Sequence, residues 1–376
     1  MTEKIARFFR DNAPATPCLV VDLDVVAENY AKLNGALPDS KIYYAVKANP
    51  APEILSLLVS MGSSFDTASV QEIQYCLEAG ATPDRISFGN TIKKASDIRT
   101  AHGLGVDLFA FDSIEELEKI AANAPGARVF CRILTSGEGA DWPLSRKFGC
   151  EPAMARELLL KAAAMDVVPY GLSFHVGSQQ RDVGQWDLAL ATCAALFRDL
   201  EEQGVVLRMV NLGGGFPTRY LKDVPTSQQY GEAINESLRQ HFGNRIPETI
   251  IEPGRGMVGN AGVIQSEVVL ISRKSANDDR RWVYLDIGKF GGLAETMDEA
   301  IKYPIVTDRD GDSAEPVIIA GPTCDSADVL YEKADYRLPS SLAIGDRVSI
   351  LATGAYTTTY SAVNFNGFAP LKAYYI

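Results

Sequence analysis

KIYYAVKANPAPEILSLLVSMGSSFDTAS, residues 41–69, is the stretch whose reading decides the fold. It opens on an apolar strand, KIYYAVKAN, runs through a helix-like segment, APEILSLLVSMG, and returns to a second short strand, SSFDTAS. A strand–helix–strand unit joins parallel strands by a crossover. The alternation recurs down the chain. Later strand-like runs are RISFGN, DLFAFDS, RVFCRIL, YGLSFHVGS, RMVNLGGG and TIIEPGR, separated by helix-like stretches such as SVQEIQYCLEAGA and EPAMARELLLKAAAMD. Ser69 with Glu72, and Ser113 with Glu116, have the spacing of a capping box at a helix start. About eight such units predict a (β/α)8 TIM-like barrel. A doubly wound sheet is the alternative, but no GxGxxG follows the first strand.

From about residue 263 the pattern changes. GVIQSEVVLISRK, DDRRWVYLDIG, EPVIIAGPT, DRVSILATGAY and GFAPLKAYYI read as strands separated by turns. The early run PCLVVDLD is expected to pair with them. The expected organisation is a barrel over residues 24–262 and a discontinuous, mainly β domain from residues 1–23 and 263–376. The opening MTEKIARFFRDNAPATP lacks a signal-peptide core and reads as a short surface helix ended by Pro14 and Pro17.

The chain has 376 residues, 46% hydrophobic and 22% charged, enough for a large core in two domains. A formal charge of −12 with no basic patch argues against nucleic acid and anionic lipid as partners. Six scattered cysteines without a CxxC pair, and three histidines, indicate a reducing cytoplasm and no metal cluster. No apolar run is long enough to cross a bilayer.

Barrel enzymes carry their chemistry at the carboxyl ends of the strands. The polar residues here fall at such ends: Lys47, Asp66, Arg132, His175, Ser178, Gly213–Gly215, Glu252 and Arg255. A glycine run after the seventh strand suits close approach of backbone N–H groups to a phosphate, or simply a tight turn. Arg255 in EPGRG supplies a charged fork to the same group. A lysine desolvated at the end of an apolar strand has a lowered pKa and is a better nucleophile. Lysine plus phosphate site points to pyridoxal 5′-phosphate, with Glu252 keeping the ring nitrogen protonated and His175 stacking on the ring. Taken singly, Lys47 could be an ion-paired strand end and His175 a satisfied core histidine.

The motifs YYAVKANP, SFDTAS, SFHVGSQ, LGGGFP, EPGR, GPTCDSAD and FNGF, in this order, resemble the fold-type III pyridoxal-phosphate decarboxylases of basic amino acids, particularly the ornithine/lysine decarboxylases. The chain is similar in length to the short bacterial members. The resemblance implies a lysine–cofactor Schiff base at Lys47, ring contacts from His175 and Glu252, and a phosphate site from Ser178, Gly214, Gly215, Arg255 and Tyr356. It places Asp66 and Arg132 along the lysine and cofactor. It makes Cys324 the residue that reprotonates the α-carbon, Asp325 a ligand of the substrate's distal amine, and Phe365 a neighbour of the substrate. It implies a homodimer whose active sites are shared, with Lys147 and Asp328 as an ion pair across the interface.

GLAETMDEAIKYP reads as a short helix that puts Glu295, Asp298 and Glu299 on one face. By the resemblance this segment lines the pocket for a cationic amino acid, with Glu299 the best match for the carboxylate and Asp298 next. The expected activity is decarboxylation of L-ornithine and/or L-lysine to putrescine or cadaverine. Arginine or diaminopimelate decarboxylase, a racemase, and a non-catalytic decarboxylase-like regulator are the alternatives. The regulator is disfavoured by the retained Lys47, His175, Glu252, Arg255 and Cys324.

Overall fold

A computed structural model describes residues 1–142 and 147–376. The chain divides into two compact units: residues 27–217 with 224–257, and residues 1–26 with 218–223 and 258–376. The sequence boundaries at 24 and 262 differ by a few residues, and residues 218–223 join the second unit. Their reason for doing so is packing: Gly259 lies against the Thr218 side chain, and Tyr220 meets Tyr303 edge-on at 5.4 Å.

The first unit is a closed barrel of eight parallel strands. They are Ser40–Ala45, Ser64–Thr67, Ile86–Phe88, Leu108–Phe111, Arg128–Arg132, Val168–Ser173, Met209–Asn211 and Glu248–Ile251. Each pairs with the next, and the eighth closes on the first through Thr249–Ser40 to Ile251–Ile42. Tyr43, Leu108, Ala110, Phe130, Met209 and Ile250 fill one buried cluster, so the barrel is a packed core. Burying these side chains is the main stabilising contribution, roughly 1.5–3 kcal/mol for each large one.

Ser69 and Ser113 cap their helices as expected, accepting the N–H of Glu72 and Glu116. Neither glutamate completes the box. Glu72 accepts from Ala68 N instead. Glu116 is buried against Lys93, 2.9 Å away, and also pairs with Lys119. A buried lysine needs a counter-charge more than a helix start needs a second acceptor. The reciprocal box is Thr226 with Gln229.

The second unit holds an eight-stranded sheet. Its path runs Ile305–Thr307, Arg347–Leu351, Gly262–Ser272, Arg281–Leu285, Ala314–Ala320, Val329–Pro339. Cys18–Val21 pairs antiparallel with Gly262–Ser272 and parallel with Lys372–Tyr375, which makes this unit discontinuous in sequence. The N-terminal helix, Glu3–Asn12, is more than a surface helix: Ile5 and Phe9 are buried with Cys18, Val20 and Val263.

Candidate active site

Lys47 follows the first barrel strand in a single 3-10 turn, Val46–Ala48. Asn49 closes the turn: its N–H donates to Val46 O at 3.1 Å, and its carbonyl accepts the Tyr44 hydroxyl at 2.9 Å. The side chain of Lys47 is exposed rather than buried, which corrects the desolvation argument. What surrounds it is charge. Burial raises the carboxyls of Asp66 and Glu72, and the Lys47 ammonium opposes that rise; it also disfavours protonation of His175, whose pKa burial already lowers.

Asp66 is the penultimate residue of the second strand and is buried. Burial, and then the nearby Glu252 carboxylate, push its carboxyl well above the usual range; Lys47 and the Ser87 hydroxyl, 3.3 Å away, pull the other way. Gly89 makes room for it, because a Cβ there would overlap Asp66 Oδ1. Arg132, at the end of the fifth strand, is drawn down by burial and supported by Glu252, Asp112 and Asp66. The Phe148 ring faces its guanidinium at 5.2 Å, and Asp112 fixes that loop by accepting Gly149 N–H at 2.7 Å. His175 follows the sixth strand. Burial, with Arg132 and Lys47, lowers its pKa well below 6.5, so the ring is neutral at pH 7. Its Nδ1 is shut off from solvent and has no hydrogen-bond partner among the described residues.

Opposite charges are gathered at the glycine turn. Arg255 is buried and donates from Nη2 to Ser178 Oγ at 3.3 Å. Gln180 N–H donates to Gly215 O at 2.9 Å, which sets the Ser178–Gln180 strand beside the turn. The turn must be glycine on backbone grounds alone. Gly215 has φ +102°, and a Cβ at Gly214 would lie 2.6 Å from Glu252 O. Glu252 closes the eighth strand with its carboxylate half-buried beside Asn211.

A family model described as pyridoxal-dependent decarboxylase, pyridoxal binding domain, matches residues 23–259. The chain belongs to the pyridoxal-dependent decarboxylases. The decarboxylase is 35% identical to "Lysine/ornithine decarboxylase" of Selenomonas ruminantium, over 98% of this chain and 91% of the relative. It superposes on a lysine/ornithine decarboxylase from Vibrio vulnificus complexed with putrescine with a TM-score of 0.87, at 31% identity, covering 99% of this chain and 97% of that one. An arginine decarboxylase from Paramecium bursaria Chlorella virus gives a TM-score of 0.91 at 27% identity, with both chains fully covered.

Pyridoxal 5′-phosphate is the cofactor of the decarboxylase, and the residues at the barrel mouth fit it. Arg255 and the Ser178 hydroxyl provide a cation and a donor beside the glycine turn. Glu252 provides a carboxylate, and neutral His175 a flat uncharged ring. Four residues that the sequence reading missed support this set: Ser87, Gly89, Asp112 and Asn211. Their partners lie on other strands or in later loops, so local pattern gave no signal.

In the β unit, Cys324 is exposed while the other five cysteines are buried. Its N–H donates to Asn366 Oδ1 at 3.1 Å. Asp325 is exposed and accepts Ala327 N–H at 2.8 Å. Asp328 is buried and ties its own loop to the segment at Lys289: it accepts Lys289 N–H, Thr323 N–H and the Thr323 hydroxyl, at 2.8, 3.1 and 2.7 Å. A Cβ at Gly288 or Gly321 would overlap its carboxylate. Its observed work is to hold the Cys324 loop. Phe365 is partly exposed and packs on Phe290 at 5.0 Å between centroids. Tyr356 sits half-buried with φ +58°.

The acidic segment departs from its reading. Residues 294–299 are two 3-10 pieces broken at Met297 and Asp298, not one helix, so the three acids share no face. Glu295 is buried and Asp298 exposed. Glu299, expected to face the substrate, instead accepts three backbone N–H groups: Glu332 at 2.7 Å, Lys333 at 2.6 Å and Ala334 at 2.8 Å. The left-handed φ of +52° at Asp298 and +55° at Glu299 turns the chain back toward that strand.

Proposed function

We propose that the decarboxylase acts on L-ornithine and/or L-lysine, releasing carbon dioxide and a diamine, putrescine or cadaverine, for polyamine synthesis in the cytoplasm. The observation that carries this reading is the end-to-end match to the Selenomonas relative, whose name gives both substrates. The formal net charge of −12 favours approach of a cationic amino acid. Among the described residues no helix is long and apolar enough to cross a membrane.

Lys47 would supply the amine that holds the cofactor through its aldehyde. Arg255, Ser178 and the Gly214–Gly215 turn would hold its phosphate, with Tyr356 contributing a hydroxyl. His175 would support the ring, and Asp66 and Arg132 set the charge around the lysine. Glu252 would keep the ring nitrogen protonated. Bound pyridoxal 5′-phosphate supplies the sink for the electron pair left as carbon dioxide departs. Neutral His175 suits the work, because a cation against the ring face would compete with the ring proton. The Cys324 thiol returns a proton to the α-carbon, and its exposed loop suits a group that reaches a site from outside its own fold.

Asp325 and the acidic segment at residues 295–299 recognise the far amine. With Glu299 spent on backbone, the exposed Asp298 is the carboxylate of this segment that we read for that task. We further read the working form as a homodimer in which Cys324 and Asp325 of one protomer complete the barrel mouth of its partner. Arginine is the second substrate reading, favoured by the high structural similarity to the viral arginine decarboxylase. The test is to supply ornithine, lysine, arginine and diaminopimelate separately and identify the amine formed by mass spectrometry. Putrescine or cadaverine supports the reading; agmatine alone, or lysine from diaminopimelate, overturns it.

A further inference from the structure

Asn211 ends the seventh barrel strand and is 1% exposed. Its side chain spends both ends of its amide. Oδ1 accepts Gly213 N–H at 2.9 Å, and Nδ2 donates to Glu252 Oε1. The orientation follows from chemistry: a backbone N–H can only donate, so the atom facing Gly213 is oxygen and the atom facing Glu252 is nitrogen. The backbone repeats the link, since Glu252 N–H donates to Gly213 O at 2.8 Å. A buried amide thus clamps one oxygen of the Glu252 carboxylate to the first glycine of the turn. The other oxygen is left with a fixed direction.

Charge explains why an amide suits this position. Asp66 already lies within electrostatic reach of Glu252, and Arg132 faces both. A carboxylate at residue 211 would add a third anion and remove the donor. An apolar residue would remove the donor and leave the Gly213 N–H buried without an acceptor.

We propose that Asn211 is the positioning residue for Glu252: it aims the free carboxylate oxygen at the cofactor's ring nitrogen and couples that aim to the phosphate-side glycine turn. This rests on reading Glu252 as the ring-nitrogen partner. It adds a residue, outside contact with the cofactor, that acts only through that carboxylate.

The test titrates cofactor-free wild type, Asn211→Ala, Asn211→Asp and Glu252→Ala with pyridoxal 5′-phosphate and with an analogue whose ring nitrogen is replaced by C–H. Absorbance of the bound cofactor reports affinity. Wild type should prefer the natural cofactor, and Glu252→Ala should bind both alike. Both Asn211 variants should bind the natural cofactor about tenfold more weakly, the loss expected for one charge-assisted hydrogen bond, with little change for the analogue. Asn211→Asp is nearly isosteric and keeps an acceptor for Gly213, which separates the clamp on Glu252 from simple loss of fold. If Glu252→Ala keeps the wild-type preference, the reading of Glu252 fails. If Glu252→Ala loses it while the Asn211 variants weaken both cofactors equally, or neither, the role of Asn211 is overturned.

Discussion

Glu299→Ala separates two accounts of the acidic segment. The carboxylate accepts three backbone N–H groups from residues 332–334. A hydrogen bond to a charged group contributes about 1.5–3 kcal/mol when dry, and Glu299 is only partly buried, so water replaces part of each bond. About 2–4 kcal/mol for the set is a reasonable expectation. The β unit has roughly 150 residues, for which 1 kcal/mol moves Tm by about 2–4 °C. Where that unit melts by itself, Tm should fall by about 4–16 °C. Glu299→Gln, which keeps acceptor oxygen but not charge, should fall between. The pH dependence gives a second handle. Partial burial pushes the Glu299 carboxyl up, but the three N–H donors together outweigh it and leave it below 4.5. A lowered carboxyl contributes stability above its unfolded value and loses it as pH falls through the folded one. The gap between wild type and Glu299→Ala should therefore be full at pH 7 and shrink below about pH 4. Thermal melts by circular dichroism read both. An unchanged Tm with a KM raised tenfold or more would refute the backbone role and restore Glu299 as a substrate ligand.

Three further outcomes follow. Gly89→Ala should force the Asp66 carboxylate aside and weaken cofactor affinity about tenfold or more in a spectrophotometric titration, an overpacking cost of about 1–3 kcal/mol; unchanged affinity would show that Asp66 can move freely. Asp66 has its carboxyl raised, by burial first and Glu252 second, so the native state holds the proton more tightly and stability falls as pH rises above the unfolded value. Asp66→Asn should thus raise the Tm of the cofactor-free protein at pH 8 by about 2 °C or more and leave it unchanged near pH 4; equal melting at both would contradict this. Mixing inactive Lys47→Ala and Cys324→Ala chains should restore about a quarter of wild-type activity on random exchange, because hybrid dimers hold one intact site; no recovery under demonstrated exchange argues against shared sites.

The barrel was legible because its signal is local. Each strand is a short apolar run ending in a polar or glycine residue, and each is followed by a helical period. The β unit was legible only in part. Val329–Pro339 escaped notice because Glu332, Lys333, Asp335 and Arg337 break its alternation, and its pairing with Ala314–Ala320 shifts register twice. The acidic spacing of Glu295, Asp298 and Glu299 mimics a helix face; nothing in residue type betrays two consecutive left-handed residues that are not glycine. Exposure of Lys47 was hidden by its neighbours Ala45, Val46 and Ala48, all of which are buried. Asn211 and Gly89 gained meaning only when strands far apart in sequence became neighbours, as Asn211 and Glu252 do across the seventh and eighth strands.

The most direct measurement is the site of covalent attachment. Borohydride reduction of the purified holoenzyme, followed by proteolysis and mass spectrometry, should leave a stable pyridoxyl label on Lys47 and on no other lysine. A label on Lys93, the buried barrel lysine, or an unmodified Lys47 in a fully loaded enzyme, would contradict the assignment of the barrel mouth from which every other role was argued.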